Sequence, residues 1–215
     1  MQIDVRVLEL LSSKLCHDLI SPVSAINNGV ELIEDIGDEI EEEAMKLIGN
    51  SGANAARRLR LFRAAYGCAG SEENLPLRDV RLIAQQYFVE KIKLDWPEDL
   101  KLPSVEDHRG FLKVLLNMLI MSEEILAYGG LITLRRLGAD DTMGCVIEVA
   151  GRNAVLSVLF RQALENQVNI EELTPRTIQP YITGRFAAYF GLSISSTMFT
   201  EDKLVLTLQV GSKLN

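Results

Sequence analysis

The sequence predicts an α+β chain, with an N-terminal helical hairpin forming a dimeric four-helix bundle followed by an α/β sandwich. Three observations carry this. Leu8, Leu11, Leu15, Leu19, Val23, Ile26, Val30 and Ile33 recur in steps of three and four, the spacing of one apolar stripe on a long amphipathic helix. A second long helical pattern follows directly after Gly37. Beyond residue 75, helical patterns are interleaved with short alternating runs, clearest in Leu204-Val205-Leu206-Thr207-Leu208-Gln209-Val210.

The first helix is expected over about residues 3–34, about 45–50 Å at about 1.5 Å per residue, a length that suits a bundle. Pro22 lies inside it, without a backbone N–H and crowding the carbonyl of Asp18, so a kink or loosening is expected there. Gly37 suits a left-handed stop, and Asp38 with Glu41 has the form of a capping box. The second helix, over about residues 39–66, places Ile40, Ala44, Leu47, Ser51, Ala55, Leu59, Phe62 and Tyr66 on one face. Glu39, Glu41, Glu42 and Glu43 open it and Arg57, Arg58, Arg60 and Arg63 lie toward its end, matching the helix dipole. Two helices leave each stripe half covered, and no second hairpin occurs in the chain, so a homodimer is the economical completion.

The polar, glycine-bearing stretch from Gly67 to Asn74 reads as a linker, dividing the chain into 1–70 and 75–215. The second unit is expected to hold helices at about 77–90, 106–127, 155–164 and 175–190. Strands are expected at about 91–96, 131–137, 143–149, 192–197 and 204–210, largely antiparallel.

Bulk properties narrow the function classes. The 22 basic and 30 acidic residues give a net charge of −8, which argues against nonspecific binding to nucleic acid or anionic membrane. Cys16, Cys68 and Cys145 are odd in number and lack CxxC context, so neither a disulfide framework nor a zinc site is indicated and a reducing, cytoplasmic setting is expected. No signal peptide is evident, and the apolar run from Val114 to Met121 is too short to span a bilayer.

The centre of the first helix carries Leu15-Cys16-His17-Asp18-Leu19-Ile20-Ser21-Pro22. At about 100° per residue His17 falls roughly opposite the apolar stripe, so its imidazole should face solvent. Unperturbed imidazole, with a pKa of about 6.5, is largely neutral and nucleophilic near pH 7. Asp18 either orients the other ring nitrogen or faces away. Ser21, one turn on, either hydrogen-bonds a phosphoryl group or is a solvated hydroxyl. Lys14 either adds positive charge or stands as a lone surface lysine. Pairing across the turn near Gly37 puts Arg57 and Arg60 at about the level of His17, where guanidinium groups would suit a phosphoryl group or acidic partner. His108, beside Asp107, reads as a residue that starts a helix, with no metal site shared with His17.

His17-Asp18-Leu19-Ile20-Ser21-Pro22 resembles the H-box of dimeric sensor histidine kinases, and the order of hairpin and sandwich resembles their dimerisation and ATP-binding domains. Extended through Ala25-Ile26-Asn27-Asn28-Gly29, the match is closer to the ChpT-type histidine phosphotransferases of alphaproteobacteria, over essentially the whole chain. The resemblance implies a kinase-like second domain without ATP chemistry. Val114 to Met121 resembles a kinase N-box, but Met121 stands where the magnesium-coordinating Asn would be, and a thioether is a poor ligand for a hard cation. Ala150 replaces the adenine-reading Asp, Arg152 replaces a loop glycine, and Gly184-Arg185-Phe186-Ala187-Ala188 lacks a phosphate-cradling Gly-x-Gly spacing.

The resemblance further implies a phosphoryl relay through phosphohistidine at His17, from the receiver Asp of a CckA-like hybrid kinase to CtrA-like and CpdR-like response regulators. No cofactor would be bound by this chain, and Mg²⁺ would come from the receiver. Receivers would dock beside the histidine on Ile20, Ser21, Ser24, Asn27, Asn28, Ala53 and Ala56. Ile20 is either boundary core or an apolar contact for the partner. A noncatalytic adaptor that sequesters receivers and an ATP-dependent autokinase are the competing readings. His17 is dispensable in the first, and nucleotide binding marks the second.

Overall fold

A computed structural model describes residues 4–36, 40–67, 75–89, 91–102, 105, 107–138 and 144–211. The expected turn residues Gly37 and Asp38, Glu39, the linker from Cys68 to Asn74, Glu106 and Met143 lie outside them.

Two long helices come first, α1 (Val5–Ile36) and α2 (Glu41–Tyr66). α1 continues through the buried Pro22 as one helix. The two helices pack closely at Gly29, where an added Cβ would lie 2.6 Å from Ile48 Cγ1 and 3.3 Å from the Ala44 carbonyl oxygen. Small residues on α2, Ala44, Ser51 and Ala55, are buried along this seam. Glu41, Glu42 and Glu43 occupy the first turn of α2 and Arg63 its last, as the helix dipole favours.

The expected stripe is not uniformly inside. Leu11, Leu15, Leu19, Ile26 and Ile33 are half-buried, whereas Leu8, Val23 and Val30 are exposed. On α2, Leu47 and Leu59 are exposed while Leu61, Ala64 and Ala65 are buried. The reason is that α2 has two buried sides, one toward α1 and one toward the second half of the chain, and periodicity alone identified only the first.

The second half contains α3 (Leu77–Tyr87), β1 (Ile92–Asp95), α4 (Phe111–Ile125), β2 (Gly130–Arg136), β3 (Gly144–Ala150), α5 (Val158–Leu164), a 3₁₀ turn (Ile170–Glu172), α6 (Ile178–Tyr189), β4 (Leu192–Thr200) and β5 (Lys203–Val210). α4 starts later than the apolar pattern suggests, because Gly110 at its N-cap takes a left-handed φ of 80°. The strands form one sheet in the order β1-β2-β3-β5-β4, with β1 parallel to β2 and every other pairing antiparallel.

Alternation on the three central strands sends Ile132, Leu134, Cys145, Ile147, Val149, Leu204, Leu206 and Leu208 to one fully buried face. These side chains share a continuous core with Phe111, Leu115, Met118 and Leu119 of α4, so the architecture is a two-layer sandwich. The opposite face carries Glu148 between Arg135 at 3.3 Å and Lys203 at 3.0 Å.

Complete burial pushes the Cys145 thiol from 9.0 to about 12. An unfolded thiol ionises near pH 9 while the folded one keeps its proton, so this residue's contribution to stability is complete below pH 9 and is lost as pH rises to about 12. In urea titrations across that window, Cys145→Ala is expected to flatten the loss of stability with pH relative to the parent.

Candidate functional site

The midpoint of α1 presents His17 with its side chain 88% exposed. Its Nδ1 lies 3.4 Å from Asp18 Oδ1, and Asp18 is itself mostly covered. A carboxylate only accepts, so the pairing favours the tautomer with the proton on Nδ1 and leaves the Nε2 lone pair for solvent. Asp18 therefore does not face away. Its second oxygen, Oδ2, lies 3.7 Å from Lys14 Nζ, one helical turn earlier.

Lys14 is not a lone surface lysine. Its side chain is only 14% exposed, and Nζ forms a 2.6 Å ion pair with Glu124 Oε1 at the end of α4. Burial alone would lower the pKa of this ammonium, but the carboxylates of Glu124, Asp18 and Glu123 hold it above its usual 10.5. Glu124 is shifted upward by burial, with Lys14 opposing the shift.

A second cluster adjoins the first. Tyr87 donates to Glu123 Oε2 at 2.5 Å, and Arg58 reaches the Tyr87 hydroxyl at 3.2 Å and Glu123 Oε1 at 4.0 Å. Burial, with the Glu123 charge, pushes the Tyr87 phenol well above its usual range. Arg57, Arg58, Asn54, Tyr87, Lys91 and Glu123 line a cavity of about 340 Å³ beside this cluster. The expected guanidinium ring around His17 is not formed. Arg57 faces that cavity, Arg60 donates to Gln86 of α3 at 3.4 Å, and among the described residues neither reaches the imidazole. Helix arithmetic on the hairpin alone does not include the partner that α3 offers Arg60.

Ser21, Ile20, Ser24, Asn27 and Asn28 are all exposed on α1, as is Ala53 on α2, while Ala56 is half-buried. Ile20 is 61% exposed, so within one chain it is not boundary core. His108 sits in the turn before α4 with Nδ1 3.1 Å from the Arg109 carbonyl oxygen, and no cluster of potential metal ligands occurs among the described residues.

The two halves of the chain are joined by a buried polar chain. Asn117 of α4 donates to the Ala65 carbonyl of α2 at 2.9 Å, and Gln179 of α6 donates to Asn117 Oδ1 at 3.2 Å. Tyr66 donates to Gln179 Oε1 at 2.6 Å, and Arg6 of α1 reaches the Leu173 carbonyl at 2.9 Å. The positions that resemble a kinase nucleotide site serve packing. Met121 is fully buried, Arg152 lies 5.3 Å from the ring centre of Tyr128, and a Cβ at Gly184 would collide with the Leu164 carbonyl oxygen. Sequence reasoning missed Glu123, Glu124, Tyr87 and Gln179. For Glu123 and Glu124 the visible sign was a pair of acids near the end of a largely apolar helix, and Tyr87 and Gln179 carried none.

A helical hairpin with an exposed histidine, docked on an α/β sandwich, suits a histidine phosphotransferase. The family profile described as "Histidine phosphotransferase C-terminal domain" matches residues 77–201. The chain is 37% identical over 196 residues to the protein phosphotransferase ChpT of Brucella abortus (strain 2308), covering 90% of each. It is also similar to a solved bacterial phosphotransferase structure, with a TM-score of 0.78 and 32% identity, covering 97% of this chain and 98% of that one. The chain belongs to the ChpT-type histidine phosphotransferase family, and its function is phosphotransfer in a relay.

Asn117→Leu removes a fully buried amide and leaves the Ala65 carbonyl without its side-chain donor, while Gln179 Nε2 keeps the residue 117 main-chain carbonyl and Thr183 Oγ1, each at 3.4 Å. One orphaned buried group costs about 1–3 kcal/mol, and a loss of that size is expected in chemical denaturation. Arg60→Ala, at an exposed 3.4 Å contact, is expected to cost less than about 1 kcal/mol.

Proposed function

We propose that His17 is the phosphoryl carrier, taking the group from a receiver-domain aspartyl phosphate and passing it to the Asp of a second receiver. The observation that carries this reading is an exposed imidazole whose Nδ1 is engaged by Asp18, which frees Nε2 for in-line attack. In the forward step the Nε2 lone pair forms an N–P bond, the acyl P–O bond breaks, and its electron pair leaves on the receiver carboxylate. The ring gains a positive charge that Asp18 faces, with the proton still on Nδ1. The reverse sequence delivers the group to the acceptor. Mg²⁺ is supplied by the receiver's acidic pocket and neutralises charge on the moving group.

Exposed Ile20, Ser21, Ser24, Asn27 and Asn28 on α1 and Ala53 on α2, with half-buried Ala56, suit a receiver helix laid beside the histidine. By family likeness the donor is the receiver of a CckA-like hybrid kinase and the acceptors are CtrA-like and CpdR-like response regulators, all in the cytoplasm. Among the described residues no helix is long and apolar enough to cross a membrane. The work divides between a hairpin unit, 1–70, and a sandwich unit, 75–215, that binds no nucleotide. Buried Met121, stacked Arg152 and close-packed Gly184 support the last point.

The active form is a homodimer. Val5, Leu8, Val23 and Val30 fall within a narrow arc of α1 and stay exposed, and Met45 and Leu59 do the same on α2. A second hairpin would cover them as a four-helix bundle. In light scattering, Val23→Glu with Val30→Glu is expected to turn a dimer into a monomer.

The test of the carrier uses a radiophosphorylated receiver with Mg²⁺ and without ATP. Acid-labile, alkali-stable label is expected on the parent and not on His17→Ala. Receiver binding without any transfer of label to the parent would leave an adaptor in place of a carrier.

A further inference from the structure

The carrier's immediate neighbour, Asp18, is itself held from a distance. Its two oxygens are divided, Oδ1 toward His17 Nδ1 at 3.4 Å and Oδ2 toward Lys14 Nζ at 3.7 Å. The ammonium is much closer to Glu124, at 2.6 Å, a residue 110 positions further along the chain and on the other side of the junction between the two halves. Both members of that ion pair are largely covered, at 14% and 23% side-chain exposure. An exposed lysine one turn before an aspartate would swing freely and pair with it or with water at little cost. This one is fixed.

We propose that Glu124 is a positioning residue for the phosphoryl transfer: by holding Lys14 back from Asp18, it leaves Asp18 free to engage Nδ1 of His17. The proposal rests on the reading of His17 as the carrier. The transfer itself moves one phosphoryl group from a carboxylate oxygen to Nε2, with the Nδ1 proton retained throughout. Positive charge builds on the ring as the N–P bond forms and is complete in the phosphohistidine, so a carboxylate at Nδ1 assists uptake of the group.

Without the negative charge at 124, Lys14 is left with Asp18 as its near partner. A full Lys14–Asp18 contact would draw the carboxylate along the helix and weaken its acceptance from Nδ1–H. The surrounding charges do not replace Glu124. Glu123 acts on Lys14 from further away and is engaged by Tyr87 and Arg58, while the Tyr66 hydroxyl is committed to Gln179. The upward shift of the Lys14 pKa agrees with an ammonium held by more than one carboxylate. Because Glu124 sits on α4, the device makes the imidazole's tautomer depend on correct docking of the sandwich against the hairpin.

Glu124→Gln keeps the shape and removes the charge. Transfer from a phosphorylated receiver to the protein is expected to fall about tenfold, with receiver affinity unchanged. In the same protein, ¹⁵N NMR of the His17 ring is expected to move from predominantly Nδ1–H toward a mixture with Nε2–H. Lys14→Met combined with Glu124→Gln removes the competing ammonium and should restore the Nδ1–H signature and most of the rate. His17→Ala separates the two ideas. If it still takes label, the carrier reading falls and this proposal falls with it. If it does not, yet Glu124→Gln keeps the parent's rates and ring spectrum, the carrier stands and only the role of Glu124 is overturned.

Discussion

The side-chain amide of Asn117 is the interaction on which the rest of the molecule depends. It sits, fully buried, where α2, α4 and α6 converge, donating to the Ala65 carbonyl and accepting from Gln179. An amide in that position is tolerated only when its partners are met, since an unsatisfied buried donor or acceptor is expensive. Satisfying it requires α2 to arrive at one height and angle, which then sets where Tyr66 meets Gln179 and where α1 can lie. The apolar contacts around it, Leu61, Ala65, Leu115 and Met118, supply the driving force but would accept several orientations. Polar groups in the seam select one of them.

That orientation reconciles two demands on a phosphohistidine site. The nucleophile must stand clear of its own protein so that another domain's aspartate can approach, and exposed side chains are ordinarily free to rotate and to exchange tautomers. Here the ring is open to solvent while the groups behind it are covered. Asp18 and Lys14 lie in a partly enclosed layer whose far wall is the end of α4. Rigidity is placed one residue behind the reactive atom, and access is left in front of it.

Much of this order was visible in the residues. The helix and strand sequence could be read because each element carries a clear period, as in Leu204 to Val210 of β5, and His17 could be placed opposite the apolar stripe from its spacing alone. What could not be read is instructive. Leu8, Val23 and Val30 look like core because their pattern is apolar, but a single chain does not cover them. Leu59 and Leu61 are two positions apart on the same helix, and only the docked sandwich decides that the second goes inside. Lys14 looked ordinary because Glu124, the partner that gives it meaning, is remote in sequence and no local rule links them. Arg60 looked like a neighbour of His17 for the same reason, since its partner Gln86 lies on α3.

The sealed thioether of Met121 bears on how such a chain can evolve. An asparagine introduced there would enter a fully buried place in the apolar core, so the substitution would first act as a destabilising lesion. The loop side has the same character. Arg152 is stacked on Tyr128, and Gly184 is occupied in bringing α6 against the end of α5. Each position has acquired a second dependence unrelated to any ligand. Selection acting one residue at a time therefore meets a ratchet, in which packing closes the way back before ligand chemistry is ever sampled.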